Sequence, residues 1–273
     1  MSNTFNIGRF WKYFKWDLRN AKNNFGLSML IAASLPLFLF FIAELFSLIF
    51  SGEFVETGLG TQIPAMLVGN CIIFLSMPTK VYGKLTDKRQ GSDWLMLPAS
   101  STEKTVSMIL MGCIVAPVCW FVVFNAWDFL LSWIFPGHYG NAVLLNLPLD
   151  NLFNLGNPGG VVDMNVQFNM PLAIFMSWCE NILIFTLGAI CFKKSKAAKT
   201  ILLYFAFSML LSTVITTFVG INAGGFGFTE SAMEQMDFAK FFGTATRWAW
   251  VIGWTFVAGL IAAIYYRVRT IRH

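Results

Sequence analysis

Six stretches of this chain, residues 26 to 50, 60 to 79, 105 to 134, 169 to 192, 200 to 220 and 248 to 266, are predominantly apolar over 19 residues or more. A helix rises about 1.5 Å per residue, so about 20 residues cross the roughly 30 Å of hydrocarbon in a bilayer. Each stretch is long enough, and the first, with 25 residues, is long enough to cross with some tilt. They are continuous blocks, not the short alternations of a strand or an amphipathic helix. Only 12% of the residues are charged, against about 25% in an ordinary soluble domain, too few to cover a water-exposed surface. The expected fold is an all-α membrane protein with about six transmembrane helices in one domain, residues 1 to 273.

Residues 5 to 25 precede the first block. On a helical wheel Ile7, Phe10, Trp11, Phe14, Leu18, Ala21 and Phe25 share a face, with Arg9, Lys12, Lys15 and Arg19 off it. A basic amphipathic helix of this kind lies in the membrane interface, its cations near anionic headgroups. A secretory signal has an apolar core of about 7 to 15 residues, so residues 26 to 50 read as an uncleaved span. Pro36 and Pro117 fall inside spans one and three, where neighbouring helices have to satisfy the freed carbonyls.

Orientation follows from the basic residues. Of the 19 lysines and arginines, 17 lie before span one, between spans two and three, between spans four and five, or after span six. The alternate connections, residues 51 to 59, 135 to 168 and 221 to 247, hold only Lys240 and Arg247. By the positive-inside rule both termini are cytoplasmic, in a plasma (inner) membrane protein. The same rule accounts for the net charge of +5, so nucleic acid is not an expected partner. In the last outer connection, Ser231 with Glu234 forms a capping-box pattern for a short helix.

Chemistry is sparse. There is no GxxxxGK[ST] loop, no HExxH and no GxSxG, and His138 and His273 are the only histidines. An enzyme is not expected, nor a cofactor or metal in this chain, and any ATP dependence has to come from another subunit. The five cysteines read as small apolar residues within the blocks. Three acids sit inside spans: Glu44 in span one, Asp128 in span three and Glu180 in span four. A carboxyl at membrane depth usually faces a cavity or a polar partner, which makes these candidates for a pathway or a dimer seam. Glu44 and Asp128 lie towards the outer ends and also fit an interfacial position. Glu180 is deepest and has to be protonated, exposed to water, or hydrogen-bonded to groups such as Asn181, Asn70 or Asn125, which are also within the apolar blocks.

The most informative segment follows span two, residues 85 to 101. Gly91 permits a turn, Ser92 can cap a short helix over 93 to 97 with Asp93 at its positive start, and Pro98 ends it. Ser100 with Glu103 forms a capping box that launches span three. The short helix is expected to display Trp94, Leu95, Met96 and Leu97, which then need the membrane interface or a partner to cover them.

Asp87, Lys88, Arg89, Gly91, Ser92, Asp93, Leu95, Leu97, Pro98, Ala99 and Ser100 match a pattern position by position. The segment resembles the corresponding part of the six-span permeases of type-two ABC transporters, mostly exporters. Trp94 stands where that family more often has an aliphatic residue, and Lys104 comes early for its basic position. The resemblance implies that Gly91, Ser92, Asp93, Trp94, Leu95, Leu97 and Pro98 form a coupling helix that docks on a cytoplasmic P-loop ATPase. It also implies ATP and Mg bound in that ATPase, and a second permease chain, like or unlike this one. A proton-coupled secondary transporter and a non-transporting membrane scaffold or sensor are the alternative classes.

The charge asymmetry has a direct test. Single cysteines placed near Asn141, Gly159 or Glu234 are expected to react with an impermeant thiol reagent added to intact cells, and one near Lys88 or Lys196 is not. Labelling near Lys88 from outside would overturn the six-span arrangement.

Overall fold

The computed structural model describes residues 5–52, 58–86, 91–146, 169–222 and 238–271. Among them every regular element is helical: α1 (Ile7–Ala33), α2 (Leu35–Ser51), α3 (Gly58–Val81), α4 (Gly91–Met96), α5 (Ser101–Leu110), α6 (Ala116–Ile134), α7 (Pro136–Tyr139), α8 (Val143–Asn146), α9 (Met170–Cys191), α10 (Lys196–Asn222) and α11 (Phe238–Thr270). A 3-10 turn, Gly83–Thr86, follows α3, and a π-helical turn, Met111–Val115, joins α5 to α6. Five stretches are long and apolar enough to cross a membrane: Ile7–Ser51, Gly60–Val81, Ser101–Ile134, Met170–Cys191 and Arg247–Thr270. The fifth expected span, 200 to 220, falls within α10, a 27-residue helix that is not among the five and carries Lys196 and Lys199 in its first turn. The expected capping box of Ser231 and Glu234 lies outside the described residues.

The N-terminal joint differs from expectation. The sequence reading separates an interfacial helix, residues 5 to 25, from a span starting at 26. Instead α1 begins after Asn6, whose side chain accepts from the N–H groups of Gly8 and Arg9, and runs unbroken to Ala33. Gly26 costs a helix only about 1 kcal/mol relative to alanine. Pro36 costs about 3 kcal/mol or more, because it lacks an N–H and its ring meets the carbonyl four residues back. The break therefore falls at Ser34, with φ −86° and ψ 1°, and Leu37 and Phe38 both donate to its carbonyl. The buried face of α1 also differs. Phe10, Tyr13, Asp17, Ala21 and Phe25 are buried, while Ile7, Trp11 and Leu18 are exposed.

Pro117 acts differently. Through the π turn, hydrogen bonds reach five residues back, so the Ala116 N–H meets the Met111 carbonyl. The next carbonyl in that register, Gly112, faces Pro117, which has no N–H. Trp178 of α9 supplies the missing donor, its indole Nε1 donating to the Gly112 oxygen at 3.1 Å. The proline that disturbs α6 thus ties it to α9.

The core lies where α3, α5, the π turn, α9 and α11 meet, with Ile73, Met77, Met108, Ile182 and Ile264 buried. Gly188 lets α9 approach α10, since a Cβ there would sit 2.0 Å from the Thr200 hydroxyl. The outside of the bundle is apolar: Leu27, Phe50, Leu202 and Trp133 are 73 to 84% exposed. Such a surface is unsuited to water and suited to lipid.

If the indole–carbonyl bond matters, Trp178→Phe should lower stability by about 1–3 kcal/mol, the cost of leaving a buried carbonyl unmade. In a Pro117→Ala background, which restores an N–H opposite Gly112, the same change should cost measurably less. Thermal unfolding of the four proteins in detergent reads the difference, and equal costs in both backgrounds would exclude this role for Trp178.

Candidate functional site

The short helix after α3 is built into the bundle from three directions. Its location is the end of the bundle where α1 begins and α3 ends. Glu103, fully buried, closes the expected capping box with Ser100, accepting from the Ser100 N–H while the Ser100 hydroxyl accepts from the Glu103 N–H. It also accepts from the Asn6 N–H at 2.9 Å and from Arg9, whose guanidinium lies 2.7 Å from Oε1. One carboxylate therefore starts α5 and fastens the start of α1 to it.

One turn of α1 further on, the Tyr13 hydroxyl accepts from the Trp94 indole at 2.9 Å. Lys104 of α5 approaches the same tryptophan from the other side. Its Nζ lies 4.2 Å from the ring centroid and donates to the Trp94 carbonyl at 2.9 Å. The cation thereby satisfies a carbonyl in the last turn of α4 and stacks on its largest side chain. Deeper still, Asp17 is 1% exposed and its Oδ2 accepts from the Ser107 hydroxyl at 2.6 Å and the Tyr82 hydroxyl at 3.1 Å. Burial, and next to it the charge of Asp17, hold the Tyr82 phenol well above its ordinary pKa, so it remains a donor. Asp17, Tyr82 and Trp94 also line a cleft of about 320 Å³ with Trp16, Asn20 and Lys84.

These contacts correct the expectation that Trp94 is displayed. It is 6% exposed, with Tyr13 of α1 on its indole nitrogen and Lys104 of α5 over its ring. Met96 is the displayed residue, at 78% exposed, and Leu97 is half-buried. The helix covers Gly91–Met96, so Ser92 falls inside it rather than before it, and Leu97 and Pro98 follow its end. The side chains of Ser92, Asp93 and Leu95 lie outside the described residues, as do Asp87, Lys88 and Arg89 altogether.

Of the three acids within the apolar stretches, Glu44 and Asp128 meet neighbouring residues of α7, His138 and Tyr139, and Glu180 meets α11. Asp128 of α6 is fully buried and accepts from the Tyr139 hydroxyl at 2.5 Å and the Val143 N–H at 2.6 Å. It holds the chain after α6 against the bundle, with Ser132 donating to the Gly140 carbonyl beside it. That is an anchoring role for the chain after α6. Glu44 of α2 is 8% exposed, its two carboxyl oxygens make no hydrogen bond among the described residues, and the His138 Nδ1 lies 3.9 Å from Oε1. Phe40, Phe41 and Phe135 complete a pocket of about 230 Å³ around it.

Glu180 of α9 faces α11. Its Oε1 lies 3.2 Å from where a Cβ at Gly253 would be, so the glycine makes room for the carboxyl. Of the alternatives for this carboxyl, an asparagine partner is not the one seen: Asn125 and Asn181 each donate to a carbonyl one turn back in their own helix, at Phe121 and Ser177, and among the described residues the buried Asn70 Oδ1 has no partner.

Asp17 is the residue that sequence reasoning passed over. Its signal was present: the sole acid between residues 5 and 25, seven residues after Phe10 and four before Ala21 on the apolar side. No family model, no curated protein and no solved structure matches this chain.

Removing one of the two donors to a buried carboxylate is costly. Ser107→Ala is expected to destabilise by about 1–3 kcal/mol, and most of that cost should vanish when Asp17 is also alanine. A double-mutant cycle by thermal unfolding checks this; full additivity would mean that the pair is not coupled.

Proposed function

We propose that this chain is the membrane-spanning permease subunit of an ABC transporter, an exporter driven by a separate cytoplasmic ATPase. The observation that carries this reading is α4. A six-residue helix is seated on its bundle by Trp94, Lys104 and Tyr13, presents Met96 outward, and is followed by Pro98 before the capped start of α5. A helix used to transmit a push from a partner needs such a footing, because a loosely held one would absorb the motion. Met96 and Leu97 are the contact residues in this reading, and Trp94 is the inner bolt. ATP and Mg bind in the ATPase.

The reading also carries six spans, with α10 as the fifth, both termini cytoplasmic in a plasma (inner) membrane, and a second permease chain, like or unlike. The concentration of basic residues at the α4 end supports that orientation. Exposed Leu202, Leu203, Phe205 and Leu210 on α10 form an apolar face open to lipid or to that second chain.

A specific observation favours a second reading. Glu44 and Glu180 lack hydrogen-bond partners among the described residues. A carboxyl in an apolar surround without a partner is a candidate proton carrier in a secondary transporter.

Two measurements separate the readings. Transport into inside-out vesicles should require ATP, and substitution of Glu180 by leucine should reduce it more than Glu44→Gln; transport driven by a pH gradient without ATP would decide for the proton-coupled reading. Met96→Glu should release the ATPase on co-purification while the permease unfolds at its normal temperature, because Met96 is 78% exposed. Trp94→Ala should release it too, but with a loss of about 1.5–3 kcal/mol of stability from the unburied side chain. Undiminished ATPase recovery with Met96→Glu would remove α4 as the docking element.

A further inference from the structure

A groove of about 500 Å³ runs between α1 and the start of α6, in the size range of small-molecule sites, about 300–1,000 Å³. Its α1 wall carries the stripe Lys15, Arg19, Lys22, Gly26 and Met29, spaced by three or four residues and so on one side of the helix, beside a second, apolar row of Leu18, Ala21 and Phe25. The opposite wall is apolar throughout, with Met77 from α3, Met111 and Val115 from the π turn, and Cys119 from α6. The stripe changes character along its length. Three exposed cations occupy one end, and the remaining eleven or so Å at about 1.5 Å per residue are glycine and methionine against methionine and valine.

None of the three cations has an ion-pair partner among the described residues. The acids of α1 and its neighbours are taken up elsewhere: Glu103 by Arg9, and Asp17 by Tyr82 and Ser107. The groove thus offers unneutralised positive charge at the end of the bundle where α1 begins, and an apolar trough leading from it towards the middle. That is the complement of an anionic lipid, with its phosphate at the bundle end and an acyl chain running inward.

We infer that this groove is a binding site for one anionic phospholipid of the leaflet facing the α4 end. The phosphate is held by Lys15, Arg19 and Lys22, and the upper part of an acyl chain lies along Gly26, Met29, Met77 and Val115. Gly26 keeps the trough open: a Cβ there meets only the Lys22 Cγ, at 3.8 Å, so a larger side chain enters the groove rather than the backbone. A headgroup on this stripe also sits on the helix that covers Trp94, which gives the lipid a mechanical route to α4. The inference needs a bilayer around α1, but no ATPase.

The test uses purified full-length protein in mixed micelles with equimolar phosphatidylglycerol and phosphatidylcholine, the retained lipids being counted by native mass spectrometry. Wild type should retain the anionic lipid by about tenfold over the zwitterionic one, and the triple variant Lys15→Gln, Arg19→Gln, Lys22→Gln by less than about twofold. Lys15→Arg with Lys22→Arg should keep the preference. Gly26→Leu should reduce retention of both lipids, with the helical content and unfolding temperature of all variants checked alongside. Equal retention of the two lipids by wild type, an undiminished preference in the triple glutamine variant, or unchanged retention by a folded Gly26→Leu protein would each overturn the site. Inorganic phosphate at an ionic strength matched with chloride should leave the ratio unchanged; displacement of the lipid by phosphate beyond the chloride control would assign the cations to a soluble anion and overturn the lipid. Because no ATPase is present, failure here leaves the transporter reading untouched, and loss of ATPase docking leaves this site untouched.

Discussion

Inside hydrocarbon a backbone carbonyl without a donor has no water to turn to, and prolines create that deficit in this chain, Pro64 and Pro78 inside α3 as well as Pro36 and Pro117. At Pro36 the helix gives way, and the turn at Ser34 separates α1 from α2. At Pro117 the helix absorbs the deficit with a π turn and takes a donor from Trp178. The difference is one of surroundings. The Gly112 carbonyl faces another helix that can present an indole, whereas the α1–α2 joint resolves its hydrogen bonds through Ser34, whose N–H and hydroxyl donate to the Leu30 and Ile31 carbonyls and whose carbonyl accepts from Leu37 and Phe38. Each extra residue in a π turn also rotates the downstream part of the helix by about 100°, and in this register Trp120, Phe124, Asp128 and Leu131 all come to face inward.

Because α1 runs unbroken from Ile7 to Ala33, one helix packs on both α3 and α5, and its first half also meets Tyr82 and Trp94. That single consequence organises the basic end of the molecule. Glu103 and Ser107 on α5, Tyr82 after α3 and Trp94 on α4 turn polar groups inward to meet Asn6, Arg9, Asp17 and Tyr13, and Lys104 meets Trp94. A buried polar network of this kind is stabilising only when nearly every member is satisfied, which makes it selective for one seating of α4. The same helix presents its other flank, Lys15, Arg19 and Lys22, to the groove beside α6. A force on α4 and a ligand in the groove would therefore act on one rigid element from two sides.

How much of the candidate site was legible depended on the range of the interaction involved. The Ser100–Glu103 capping box is local, three residues apart, and reads directly from the chain. That Glu103 also receives Arg9, 94 residues away, does not. Trp94 shows the same limit: large apolar residues on a short helix between two spans read as an exposed docking surface until α1 is placed over them. Asp128 was recognisable as a costly group needing a partner, but its partners, Tyr139 and the Val143 N–H, come from a turn that folds back only in three dimensions. For Glu180 the alternative of an asparagine partner failed because Asn125 and Asn181 bond within their own helices, a competition that a list of residues at similar depth does not reveal.

What the amino-acid sequence determined by itself is the set of properties that depend on one segment and its solvent: long apolar helices, basic residues gathered at alternate connections, a proline-bounded short helix, and a capped start to α5. These arise from hydrogen bonding and transfer energies that act within a turn or two. Where the first helix breaks is of the same local kind, because Pro36 costs a helix more than Gly26 does; tertiary structure decided the rest. It alone decided that Trp94 is covered and Met96 displayed, that Asp17 is buried, and that three lysine and arginine side chains border an apolar groove. Each of these is a choice of which face meets which, and burial energies of a few kcal/mol make that choice only once the helices are packed.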